Sequence, residues 1–445
     1  MKNLWIGLLL VLCAFPVYAE EPIEIEVVAS PTHGLYYMVE CLVDTPHRSP
    51  QMATSFSSRI GNWSPVAEAL EDWKKQVNSP ELSRLRFPES RRLGEVLEMV
   101  ALQSKDVEDL ASRAGPWLGP VASDKFRQVL FEVQPHYQQY WWPGSDLGGR
   151  RTELLEALKR GDFEANFEKA SKFYRGRLQE SKATVALVPH WRDIGEEKTL
   201  TRGHNSGSLQ VFEVVVDCKK PGMAGVCFHE FLHGIWKGQD AVEAARWKSH
   251  FEARGLWGRL AYVQLNEGLA TALGNGWFQS LVSGQLDQGS WYNDPVIDKY
   301  AHALFPIVKV AVESGRPPTD SELDAMLEAF SRAVPDADKN FDVVAARFLT
   351  VTTRPEAHLN EYQDGLMRLG PLRQSGVKDA PPEPGHSSTF RLFWPAANEM
   401  IKGWPNKDFA LRQTEQGWEM LFRGDQQALF KKLRELQVGG LRSVP

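Results

Sequence analysis

A chain of 445 residues, 42% of them hydrophobic and 24% charged, has the composition of a soluble globular protein with room for a large core. This excludes wholesale disorder and a polytopic membrane protein. The formal net charge of −6, with no Lys/Arg block interleaved with aromatics, argues against a nucleic-acid partner.

The chain opens with Lys2, an apolar stretch from Leu4 to Phe15, and Val17-Tyr18-Ala19. These are the parts of a secretory signal peptide, residues 1–19, cleaved after Ala19. About twelve apolar residues fall short of the ~20 needed to span a bilayer, so no stable membrane insertion is expected after its removal. The expected location is the bacterial periplasm or the exterior. In an oxidising compartment Cys41, Cys218 and Cys227 allow three pairings; the short spacing favours Cys218 with Cys227 and leaves Cys41 as a thiol.

Residues 20–182 read as a mainly helical region. Val66, Leu70, Trp73 and Val77 recur at three- and four-residue steps, and similar stripes run over 92–103 and 151–180. The period then changes. ATVALV (183–188) and SLQVFEVVV (208–216) predict two strands, and a Pro/Gly turn leads from them into a helix with Phe228, Phe231, Leu232 and Ile235 as its apolar stripe. Further helices are predicted near 256–274, 294–314 and 320–333, the second started by Asp294 as N-cap and Pro295. Residues 183–315 are expected to form the core that carries the chemistry, and 316–445 a mainly helical C-terminal region.

The helix after the strands contains His229-Glu230-Phe231-Leu232-His233, an H-E-x-x-H motif. Residues four apart on a helix lie ~40° from eclipsed and ~6 Å along the axis, so both imidazoles can reach one zinc ion. Glu230, about 100° round from His229, is poorly placed as a ligand but can reach water at the metal. Catalytic zinc usually has three protein ligands. Glu267, within Asn266-Glu267-Gly268, is the candidate third, because a carboxylate on a helix face shared with Leu260, Val263, Ala270 and Gly274 asks for a cation. Asp240 and His250 are weaker alternatives.

Together these motifs resemble the gluzincin metallopeptidases, whose two histidines come from H-E-x-x-H and whose third ligand is a glutamate on a following helix. The resemblance covers roughly 183–315. It implies an α+β, predominantly helical fold, with a zincin-like core and a small β-sheet beside the active-site helix, flanked by helical regions. It further implies one Zn2+ per chain on His229, His233 and Glu267, with Glu230 as general base in an exported peptidase acting on peptide or protein substrates. Gluzincins commonly place a Tyr or His to stabilise the oxyanion, for which Tyr300 is preferred over His302, and hold substrate on a strand, for which 208–216 is the candidate. The metzincin pattern is absent, since Trp236 and Gln239 stand where it needs Gly and His. The competing expectations are a zincin-fold metal-binding or regulatory module without turnover, and a helical interaction protein in which the motif is accidental.

Overall fold

Strands form where the sequence leaves the helical period. In a computed structural model β1 (Glu24–Val28), β2 (Lys182–His190), β3 (Arg202–Ser206) and β4 (Leu209–Val215) make one sheet in the order β1-β2-β4-β3. β1, β2 and β4 run parallel, and β3 lies antiparallel along β4 at the sheet edge. The structure describes residues 23–43, 50–77, 79–83, 93–178, 182–190, 202–206, 209–215, 223–354, 374–378, 390–394, 401–414 and 417–439, with the single positions 362, 366 and 441. Residues 1–19, read above as a signal peptide, lie outside them. Among the described residues no helix is long and apolar enough to cross a membrane.

Both faces of β2 are covered, which is why residues 185–189 read as a continuous apolar run rather than an alternation. Ala186 and Val188 of β2, with Leu209 and Val211 of β4, pack on a core built from helices between Pro31 and Trp141. Val185 and Leu187 point the other way, with Phe212, into the core that contains the H-E-x-x-H helix, Met223–Lys237. That second core also takes in Leu154 and Leu158 of the helix Leu147–Arg160, and Phe163, Phe167 and Phe173 of the helix Phe163–Tyr174. The expected division at residue 182 therefore moves: β1 belongs to the sheet, and residues 147–174 pack with the motif helix.

The predicted helices form where the stripes and caps placed them. Pro295–Glu313 starts from Asp294, whose side chain accepts from the amides of Val296 and Ile297, and it runs on through Pro306. Asp320–Ala333 starts from a Thr319/Glu322 capping box. The C-terminal region departs from its mainly helical expectation. It holds a five-stranded sheet, β6-β5-β7-β9-β8, of β5 (Arg347–Val351), β6 (Gln374–Lys378), β7 (Phe390–Phe393), β8 (Phe409–Thr414) and β9 (Gly417–Phe422). These strands are too short to display a period, and β9 is buried along its whole length, so GWEMLF shows no alternation. Its one charge, Glu419, is paired with Arg391 at 2.8 Å and Arg412 at 2.6 Å.

The core on the N-terminal side encloses carboxyls. Glu40, on the helix Pro31–Leu42, and Glu98, on Leu93–Gln103, are both buried. Burial first, and the charge of Glu98 second, push Glu40 from 4.5 up to about 8, against hydrogen bonds from Tyr36 and Trp73. A carboxyl held this high in the folded state contributes stability in full below its unfolded pKa, and loses it as pH rises toward 8. Glu40→Gln is therefore expected to raise Tm at pH 8–9, by the equivalent of a few kcal/mol, and to change it little at pH 4.5. Thermal denaturation across that range checks this; parallel pH curves for the two proteins would contradict it.

Candidate metal centre

The motif helix is fixed in rotation by its apolar stripe. Phe228, Phe231, Leu232 and Ile235 are fully buried. Phe228 stacks on Phe278 with centroids 4.3 Å apart, and Phe163 meets Phe228 and Phe231 edge-on. With that stripe held inward, His229, Glu230 and His233 come together on another part of the circumference.

The opposing wall is the helix Gly255–Ala270, which continues as a π-helical segment, Thr271–Phe278, before Gln279–Ser283. Such π segments are rare and frequent at functional sites. Here the segment sets a close approach: a Cβ on Gly274 would lie 2.6–2.7 Å from the backbone and Cβ of His229. Only glycine fits between the two helices at that point.

Glu267 enters from this wall. Its Oε1 lies 3.3 Å from His229 Nε2 and its Oε2 3.7 Å from His233 Nε2, while the two Nε2 atoms are 3.1 Å apart. A tetrahedral ion with ligand bonds of ~2.0–2.1 Å has ligand atoms about 3.3 Å from one another, so these separations suit a single ion. His229, His233 and Glu267 are the group among the described residues that can hold a metal. Support comes from Asn266, whose Oδ1 lies 3.2 Å from His233 Nδ1. When Nδ1 donates that bond, the Nε2 lone pair is directed at the centre of the group.

The electrostatics agree with a cation site. Burial works against protonation of His233, yet the hydrogen bond and charge of Glu267, with the charge of Glu230 and the hydrogen bond of Asn266, together outweigh it and raise the imidazole above its ordinary value. Burial likewise opposes ionisation of Glu267, but the two histidines hold it well below the usual carboxylate range. The carboxylate is thus charged, half-buried, and held by the two imidazoles.

Glu230 is buried, stands outside the ligand group, and abuts β3. A Cβ on Gly203 would come within 2.7 Å of Glu230 Cγ and 2.9 Å of its Oε1, so the edge strand passes this carboxyl closely at a residue with no side chain. This corrects the strand expected to line the site: β4 is internal, between β2 and β3, and β3 is the one at the edge.

Two other expectations change. Tyr300 is fully buried, its hydroxyl donating to the Met326 carbonyl at 3.3 Å and its ring against Gly268, so it is a core residue. His302 stacks on Trp291 at 3.8 Å. Among the described residues the aromatic side chain that stacks on the metal group is Tyr292, in the segment before Asp294, whose ring lies parallel to His229 with centroids 5.9 Å apart. Its only trace in the sequence is a tyrosine two residues ahead of a helix N-cap. Asp240 caps the helix Ala241–Glu252 and His250 lies 3.0 Å from Asp324, so neither joins the ligand group. Cys227 is a buried thiol outside any disulfide, turned into the core and pushed up by burial, and Cys218 lies outside the described residues. Cys41 is buried in the core on the N-terminal side.

Comparison of the chain with protein-family models, with curated proteins and with solved structures finds no match.

Proposed function

We propose that this chain is a metal-dependent hydrolase in which His229, His233 and Glu267 hold one divalent ion. More particularly, it is a gluzincin-type zinc peptidase with a zincin-like core, exported and acting on peptide or protein substrates. The observation that carries the reading is the convergence of two imidazole nitrogens and one carboxylate with a second, separate carboxyl, Glu230, beside an edge strand.

Two imidazoles and one carboxylate are a ligand set of catalytic zinc, which supplies Lewis acidity toward water and a substrate carbonyl when bound. Glu230 takes the proton of the attacking water and passes it to the leaving amine. Tyr292 offers a phenolic hydrogen bond to the oxygen that gains charge. β3 offers its outer backbone groups to an extended substrate segment, with Gly203 keeping the approach to Glu230 clear.

Metal analysis of the purified protein with digestion of an unbiased peptide library tests this. The expected result is about one zinc per chain and cleavage that a chelator abolishes and added zinc restores. Absence of metal would make the motif accidental. Metal without cleavage would favour a metal-binding or regulatory module.

A further inference from the structure

Tyr292 sits in a connecting segment, where a side chain holds its place only if the backbone is tied down. Here the ties are specific. Asp298 Oδ1 accepts from the amides of both Trp291 and Tyr292, at 2.7 and 3.1 Å. Asn275, on the π-helical segment, donates from Nδ2 to the Trp291 carbonyl at 2.8 Å. Trp291 is buried, its Nε1 donates to the Asp287 carbonyl at 2.9 Å, and its ring is stacked on His302. A Cβ on Gly276 would meet that ring at 2.7 Å. The segment is thus held from one side by the helix that carries Glu267 and from the other by the helix that begins at Pro295.

We propose that Asn275 and Asp298 are positioning residues that clasp the Trp291–Tyr292 backbone and keep the Tyr292 ring stacked on His229, where it serves the reaction. The inference deepens the peptidase reading and rests on it for the use made of Tyr292. A loop that could drift by about 1 Å would cost such a donor most of its effect, since transition-state hydrogen bonds act over a narrow range of distance. The π-helical turn gains a function here: it seats Gly274 against His229 and presents Asn275 to the loop from within one short segment.

Hydrogen exchange in the full chain tests the clasp without requiring turnover. Asp298→Ala should speed exchange of the Trp291 and Tyr292 amides about ten-fold or more, whereas Asp298→Asn, which keeps an acceptor oxygen, should stay near wild type. Should Asp298→Ala fail to fold, Asn275→Ala removes the carbonyl tie alone and should loosen the same amides. Unchanged exchange in the folded variants overturns the clasp. Kinetics test its purpose. Asp298→Ala and Tyr292→Phe should each lower kcat, by up to the ~10²–10³-fold of losing an oxyanion donor, with KM little altered. The double variant should be no worse than the weaker single one, because both remove the same contribution. Fully multiplicative losses would separate Asp298 from Tyr292 and overturn the positioning role. A wild type without peptide turnover would overturn the peptidase reading instead, and the exchange result then decides the clasp by itself.

Discussion

A Glu230→Gln protein is expected to retain its metal and to lose peptide cleavage by at least about 10²–10⁴-fold, the usual contribution of a general base. The expectation follows from where the carboxyl stands. Glu230 is on the motif helix but outside the His229, His233 and Glu267 group, so exchanging an oxygen for an amide nitrogen removes no ligand. It is buried against Gly203 on the edge strand, and glutamine has nearly the same shape, so the packing there survives. On the proposed peptidase reading, what disappears is the ability to take a proton from water and return it to the leaving amine, two duties on one group, which places the expected loss toward the upper end. The check is kcat on the best library peptide, measured beside metal stoichiometry and a thermal melt. Loss of metal would make Glu230 a ligand or a support for one; wild-type turnover would put the base elsewhere.

The features of this site that were legible in the sequence are those set by a single helix. His229 and His233 are brought together by helical periodicity alone, and the stripe of Phe228, Phe231, Leu232 and Ile235 decides which side of the helix faces the core. Glu267 was legible for a related reason: an acid among apolar neighbours at helical spacing needs a partner, and the structure supplies two imidazoles. Features that depend on tertiary placement were not. β3 is RGHNS, with no β-branched residue and a glycine in second place, and it is a strand because β4 lies beside it. Tyr292 owes its position to Asp298 and Asn275, which are on different helices, so no local pattern marks it. Tyr300 is the converse case. Its place on the apolar stripe of its helix was the signal of a core residue, and the structure seats it there. The C-terminal strands are four to six residues long, too short for a period to separate strand from helix, and β9 is buried along its whole length and shows no alternation.

Removing Glu267 tests the metal group itself, and the expected result is a graded loss. Glu267→Ala leaves two imidazoles and no carboxylate, and the weakening of metal affinity should exceed the ~10–100-fold typical of deleting a residue that merely orients a ligand. Glu267→Gln keeps an oxygen near the same place without its charge, and should fall between wild type and alanine. Competition against a chelator of known affinity measures the series. The order matters because a carboxylate with only a structural role, balancing a protonated His233, would give a different pattern. Glu267 contributes most to raising His233, ahead of Glu230 and Asn266, so removing the acid favours the neutral imidazole that binds metal. If balancing that proton were all that Glu267 did, its loss would leave metal affinity unchanged or improved near neutral pH. If Glu267 is a ligand, its loss weakens affinity despite the better availability of His233. Full retention in the alanine variant would mean either that Glu267 only balances charge or that another oxygen or nitrogen moves in. Asp240 and His250 are the alternatives that the sequence offers, and one is committed to a helix cap while the other is paired with Asp324.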